Sequence, residues 1–230
     1  KSSIGIMALE NTIAGSIIPN YALIDANDLH IVGEYYLSIH HHLMGLENQT
    51  LADIQEVVSH PMALLQCKEF FRNHKKIKLV EDADTAAVAK RISEQQLKNV
   101  AAIAPEIAAE IYGLKVIEDE IQTIKENATR FVIVQTKPST NSNQEINKAT
   151  LKFQLDHKRG SLAAILNVLS DCKMSLTKIQ SLPVIETPWK YAFFVDVTFD
   201  TLQQYEKAIA IITIMAEKFK VLGTYKSGRE

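Results

Sequence analysis

The chain has 230 residues, 47% of them hydrophobic and 23% charged, the proportions of an ordinary soluble globular protein. Its formal net charge of −2 provides no basic footprint for nucleic acid, and no basic block points to a membrane surface. No apolar run approaches the ~20 residues that cross a bilayer, the first residues lack a secretory layout, and Cys67 and Cys172 have no metal-type spacing, so a reducing cytoplasm is the expected compartment.

The chain opens on SIGIMAL (3–9), which reads as a strand with almost nothing before it. Parallel strands are buried between neighbours, so a further segment is expected ahead of this one. Short apolar strands then alternate with amphipathic helices. The strands are expected at 5–9, 30–35, 56–58, 78–80, 100–103 and 131–134, and the helices at 61–73, 85–94 and 105–112. The last helix starts at Pro105 and stops at Gly113, the usual start and stop chemistry. Alternation at this spacing predicts an α/β architecture with largely parallel sheets. The polar stretch KPSTNSNQEINK breaks the pattern, giving a first domain over 1–137, a linker over 138–149 and a second domain over 150–230. The second domain reads β-α-β-β-α-β, a ferredoxin-like unit. Units of this kind often sense small molecules or dimerise, which the fold by itself does not establish.

Four stretches carry polar groups where chemistry is done. In ALENTIAGS (8–16) apolar strand residues run into Glu10 and Asn11, and open α/β sheets bind ligands beyond the carboxyl ends of their strands. Gly15-Ser16 reads either as a helix start that receives an anion or as a turn with Ser16 as a cap. In SHPMALLQC (59–67) Pro61 fits the first turn of a helix. Ser59 and Gln66 are seven residues apart, about two helical turns, which puts two neutral hydrogen-bonding groups on one face; an N-cap serine and a solvated glutamine is the plainer alternative. His40, His41 and His42 are adjacent, and in a strand neighbours point to opposite faces, so the three do not converge on one ion. In ENATRFVIV (126–134) Asn127, Thr129 and Arg130 stand at the mouth of an apolar strand, with Arg130 alternating away from Thr129.

Taken in this order, IGIMALENTIAGSI, VVSHPMALLQC, DTAAVAKRI, AAIAPEIAAEIYGL and ENATRFVIV, followed by RGSLAAIL, LTKIQSLP, YAFFVDV and LGTY, resemble prephenate dehydratases with a C-terminal ACT regulatory domain, from about residue 4 to about residue 225. The resemblance implies a two-lobed, periplasmic-binding-protein-like catalytic region beside the ferredoxin-like unit. It implies conversion of prephenate to phenylpyruvate, carbon dioxide and water in phenylalanine biosynthesis, by a homodimer or tetramer without metal or organic cofactor. Carried over by motif, Thr129 and Glu10 are the catalytic candidates, with Glu10 as proton source if burial raises its pKa. Asn11, Ser59, Gln66 and Phe131 are the substrate-binding candidates. Gly160, Ser161 and Leu162 are the effector-binding candidates, with L-phenylalanine as the implied effector. Three departures stand out. The glycine-rich opening element of the family, like GPxGTFS, has no counterpart, the effector motif reads Gln180-Ser181-Leu182-Pro183 in place of glutamate-serine-arginine-proline, and Gly160-Ser161-Leu162 stands in place of glycine-alanine-leucine. Two non-enzymatic readings compete: an amino-acid-binding regulatory protein without catalysis, and a ligand-gated dimerisation module.

Overall fold

The computed structural model describes residues 3–138, 145–156, 158–184 and 187–229. Packing divides the chain into two compact units, Lys1–Leu37 together with Thr129–Glu230, and Ser38–Ala128. The chain enters the second unit once and leaves it once, the double crossing expected of a periplasmic-binding-protein-like scaffold. Residues 139–144, the middle of the stretch read as a linker, lie outside the described residues.

The first unit begins with β1 (Ile4–Asn11), a three-residue turn to the short β2 (Gly15–Ser16), helix α1 (Ile18–Ala26) and β3 (His30–Ser38). Gly15 has φ +81°, the left-handed conformation that lets the chain reverse so soon after β1. Pro19 sits in the first turn of α1, where its missing N–H is no loss.

The second unit contains β4 (His42–Gly45), β5 (Glu56–Ser59), α2 (Pro61–Gln66), α3 (Lys68–Arg72), β6 (Lys78–Glu81), α4 (Thr85–Gln95), β7 (Val100–Ala104), α5 (Glu106–Tyr112) and β8 (Lys115–Glu118). Its sheet runs β6-β5-β7-β4-β8. Helix α4 shows how the sequence fixes these elements. Asp84 caps it by accepting the Ala87 N–H at 2.7 Å, Val88, Ala89 and Ile92 form its buried stripe, and Gln96 ends it at φ +50°.

The chain then returns as β9 (Ala128–Gln135) and continues through β10 (Lys148–Gln154), α6 (Ser161–Asp171), β11 (Ser175–Pro183), β12 (Tyr191–Thr198), α7 (Leu202–Met215) and β13 (Lys218–Tyr225). Strand β9 joins the first sheet, in the order β2-β1-β9-β3. The last six elements make an antiparallel sheet ordered β11-β12-β10-β13, the ferredoxin-like arrangement. Ile165, Leu169, Ala208 and Ile212 of its two helices cover one face through Leu151, Phe153, Val195 and Val197. The other face packs Ala192, Phe194, Leu222 and Tyr225 against Leu9, Tyr21, Ile24, Val132 and Val134. β10 opens at Lys148, inside the stretch read as linker.

Two expectations are corrected. The sheets are not largely parallel: β5 runs parallel with β6 and with β7, whereas β1 pairs antiparallel with β9, and β4 with β7 and β8. The partner strand of β1 is supplied by the returning chain and not by a βαβ crossover. The helix read over 61–73 is two helices, broken at Cys67, whose N–H is shared between Ala63 O and Leu65 O.

The two sheets of the first unit touch through backbone at Gly223. A Cβ there would lie 2.0 Å from the Ile31 carbonyl oxygen of β3. Gly223→Ala is therefore expected to destabilise the protein by about 3 kcal/mol, as overpacking against main chain does, read as a lowered urea midpoint; an unchanged midpoint would show that the two strands separate at no cost.

Candidate active site

Asn11 and Thr129 face each other across β1 and β9 in direct register, so their side chains share one face. Asn11 Nδ2 donates to Thr129 Oγ1 at 3.1 Å. The amide orientation follows from the tight turn behind it, because Asn11 Oδ1 accepts the N–H groups of Ile13 (3.0 Å) and Ala14 (2.8 Å). With its oxygen engaged by the Asn11 amide, Thr129 has its own O–H proton to offer elsewhere. Phe131 lies two residues on, half-buried on the same face.

The neighbours of this pair point the other way. Arg130, Val132 and Val134 are buried on the opposite face of β9, so the alternation read from ENATRFVIV holds. Arg130 Nε donates to Glu34 Oε2 at 2.6 Å, Nη1 to Asp196 Oδ2, and Nη2 to the Tyr225 hydroxyl at 2.8 Å. Lys148 Nζ reaches both Glu34 oxygens at 2.9 Å, and Thr150 Oγ1 donates to Asp196 Oδ1 at 2.6 Å. Two cations and two carboxylates thus cancel in a cluster sealed from water, all four side chains at most 4% exposed. Burial pushes the Lys148 amine down, with the nearby Arg130 charge adding to the effect. Burial and Asp196 hold the Tyr225 phenol well above its usual range.

Glu10, beside Asn11, forms an ion pair with Lys178 of β11 at 2.8 Å. Its side chain is 33% exposed, and the pair ties the end of β1 to the C-terminal sheet.

In the second unit, Gln66 Oε1 accepts from His41 Nε2 at 2.8 Å and from Asn127 Nδ2 at 3.1 Å. Ser59 is fully buried and donates to the Ile103 carbonyl at 2.7 Å. The shared face read for Ser59 and Gln66 is corrected: Ser59 ends β5 and is outside the helix, so helical spacing does not relate the two. The helix cap is His60, whose Nδ1 accepts from the Met62 N–H at 3.1 Å. Burial pushes the Cys67 thiol up to about 12, which leaves it an inert apolar residue. Among the described residues no group of three or more His, Cys, Asp or Glu is placed to hold a metal.

Gly160 adopts φ +84° directly before α6, and Ser161 donates to Lys158 O at 2.9 Å and to Asp156 O at 3.0 Å. Leu162 packs on the helix-covered core, and Leu182 on the opposite face of the sheet. Asn127 and His41 are the site residues that sequence reasoning did not select. Asn127 stood in the quoted ENATRFVIV stretch, and His41 was weighed only as a metal ligand.

Residues 1–139 match the family model described as prephenate dehydratase. The chain belongs to the prephenate dehydratase family. It is 34% identical over 232 residues to arogenate dehydratase/prephenate dehydratase 2, chloroplastic, of Arabidopsis thaliana, covering 96% of this chain and 60% of that protein. Among solved structures, a prephenate dehydratase from Staphylococcus aureus superposes with a TM-score of 0.84 at 27% identity, over 97% of this chain and 82% of that one. A structure described as GqqA, a novel type of quorum quenching acylase, superposes at 0.88 with 26% identity, over 99% and 83%. The chain spans about 60% of the length of the curated prephenate dehydratase relatives it matches.

Proposed function

We propose that this protein is a lyase that converts prephenate to phenylpyruvate, carbon dioxide and water. The observation that carries the reading is the Asn11–Thr129 pair, a threonine hydroxyl whose oxygen is occupied and whose proton is available. In prephenate the ring carboxylate leaves as carbon dioxide, and the electron pair of that carbon–carbon bond completes the aromatic ring as the ring hydroxyl departs. Hydroxide is a poor leaving group, so the site has to supply a hydrogen bond or a proton to that oxygen. Thr129 is the positioned donor toward the charge that develops there, and Asn11 keeps its hydroxyl turned to the substrate. Gln66 is a further substrate-binding residue. Phe131 lends an apolar wall beside Thr129, which favours loss of a desolvated carboxylate. Ser59 belongs to the same proposal as a substrate-binding residue, and Glu10, paired with Lys178, as a catalytic one.

The same proposal extends to a catalytic region over 1–137 and a C-terminal ACT regulatory domain over 150–230, joined at 138–149. It includes an amino-acid effector such as phenylalanine near Gly160, Ser161 and Leu162, a homodimer or tetramer, and a cytoplasmic location. The Arabidopsis relative is named for arogenate as well as prephenate, which makes arogenate, with an amine in place of the side-chain ketone, the second substrate to try. The deciding experiment follows phenylpyruvate by its ultraviolet absorbance from prephenate, with and without phenylalanine, and phenylalanine formed from arogenate, on the full-length protein. Turnover of either is expected; no product from either substrate overturns the proposal in favour of a non-catalytic amino-acid-binding protein.

A further inference from the structure

The histidine run 40–42 has a use other than a metal. His40 Nδ1 lies 2.9 Å from Glu120 Oε1, close in distance but off the direction of a hydrogen bond, and His42 Nδ1 lies 3.2 Å from Asp119 Oδ1. His41 differs from both. It is 6% exposed, its backbone N–H donates to Gln122 Oε1 at 3.0 Å, and its ring meets Gln66.

The protonation of that ring follows from its partner. Gln66 Oε1 is an acceptor only, and it already takes the Asn127 amide at 3.1 Å. The 2.8 Å contact with His41 Nε2 is then a hydrogen bond only if Nε2 carries the proton. His41 Nδ1 is left as a bare acceptor, and it is buried with no partner among the described residues. Burial lowers the pKa of the imidazole, with the Gln66 bond opposing and the neighbouring His42 and His40 adding to the drop. The ring stays neutral, as the Nε2–H tautomer.

The consequence lies on Gln66. A glutamine amide presents an oxygen on one side and an NH2 on the other, and turning it end for end exchanges an acceptor for a donor. Here both inward donors, from His41 and Asn127, hold the oxygen. The NH2 has no partner among the described residues, on a side chain that is half-buried. The NH2 is the side of this group that can donate to a carboxylate, and a turned amide would present a carbonyl oxygen instead.

We propose that His41 is a positioning residue, which fixes the Gln66 amide with its NH2 toward an anionic substrate oxygen. The proposal rests on the dehydratase reading. His41 touches no reacting atom; it acts through Gln66.

Two readouts on the full-length protein test it. In the first, nitrogen-detected NMR of the imidazole is expected to show a protonated Nε2 and a bare Nδ1 at His41 near pH 7. A ring protonated on Nδ1, or on both nitrogens, overturns the proposal. The second is a kinetic cycle. His41→Leu is expected to raise KM for prephenate roughly ten-fold with kcat changed by less than about three-fold, as loss of ground-state binding does. His41→Gln, which returns an N–H donor at the ε position, should recover KM to within about three-fold of wild type. In the Gln66→Ala background, His41→Leu should add less than about two-fold, because residues that act as one unit do not add. Effects that multiply, or equal losses from His41→Leu and His41→Gln, overturn it. If the wild type turns over neither prephenate nor arogenate, the dehydratase reading fails, and the tautomer measurement still decides the His41–Gln66 pairing.

Discussion

Thr129→Ala is expected to lower kcat for prephenate by about two to four decades, the loss usual for removing a donor to developing charge. The fold should survive, because the substitution removes one part-buried hydrogen bond, from Asn11, worth roughly 1 kcal/mol. Thr129→Ser keeps the hydroxyl opposite Asn11 and should retain turnover to within about ten-fold. Asn11→Ala is milder than Thr129→Ala in this scheme, since it releases the hydroxyl without deleting it. Steady-state kinetics beside a thermal melt decide the matter. Turnover of the alanine variant within three-fold of wild type would take Thr129 out of the mechanism.

The second large effect is on stability. Arg130→Met is expected to cost about 3–5 kcal/mol, the range for removing one member of a buried ion pair. Lys148 still neutralises Glu34 in that variant, but Asp196 is left a buried carboxylate whose remaining partner is the Thr150 hydroxyl. Adding Asp196→Asn to Arg130→Met removes the stranded charge and should recover roughly half of the loss. Urea unfolding measures both. A single Arg130→Met variant within 1 kcal/mol of wild type would mean that the cluster contributes little to holding the strand of Thr129 on the C-terminal sheet.

The contrast between Thr129 and Arg130 shows what the sequence disclosed and what it withheld. Two-residue alternation in ATRFVIV separates the pair onto opposite faces of β9 from local pattern alone. Nothing local names the partners of Arg130, because Glu34, Asp196 and Tyr225 lie 96, 66 and 95 residues away. The β-α-β-β-α-β order was equally plain, since each strand and helix carries its own period. Strand direction was not, because it depends on which distant strand lies alongside: β1 finds β9 after the whole second unit has intervened. The relation inferred between Ser59 and Gln66 failed for a narrower reason. Helical arithmetic was extended across Ser59-His60-Pro61, where the chain is still leaving a strand. His41 was passed over because its value lies in a neutral hydrogen bond to Gln66, and the run of three histidines directed attention to ions.

The two-part division of the chain also sets a timetable for biosynthesis. Ser38–Ala128 is continuous, so every residue of that unit has been made before Thr129 is joined to the chain. Asn11 waits 118 residues for its partner, roughly 6–24 s at ~5–20 residues per second. The C-terminal sheet that anchors Arg130 needs Tyr225, later still. Throughout that interval β1 has neither β9 along its edge nor Ala192 and Phe194 over Leu9, and an unpaired apolar strand is what molecular chaperones hold. On the ribosome, the inserted unit should gain protease resistance first, and the strands bearing Asn11 and Thr129 only near the end of synthesis.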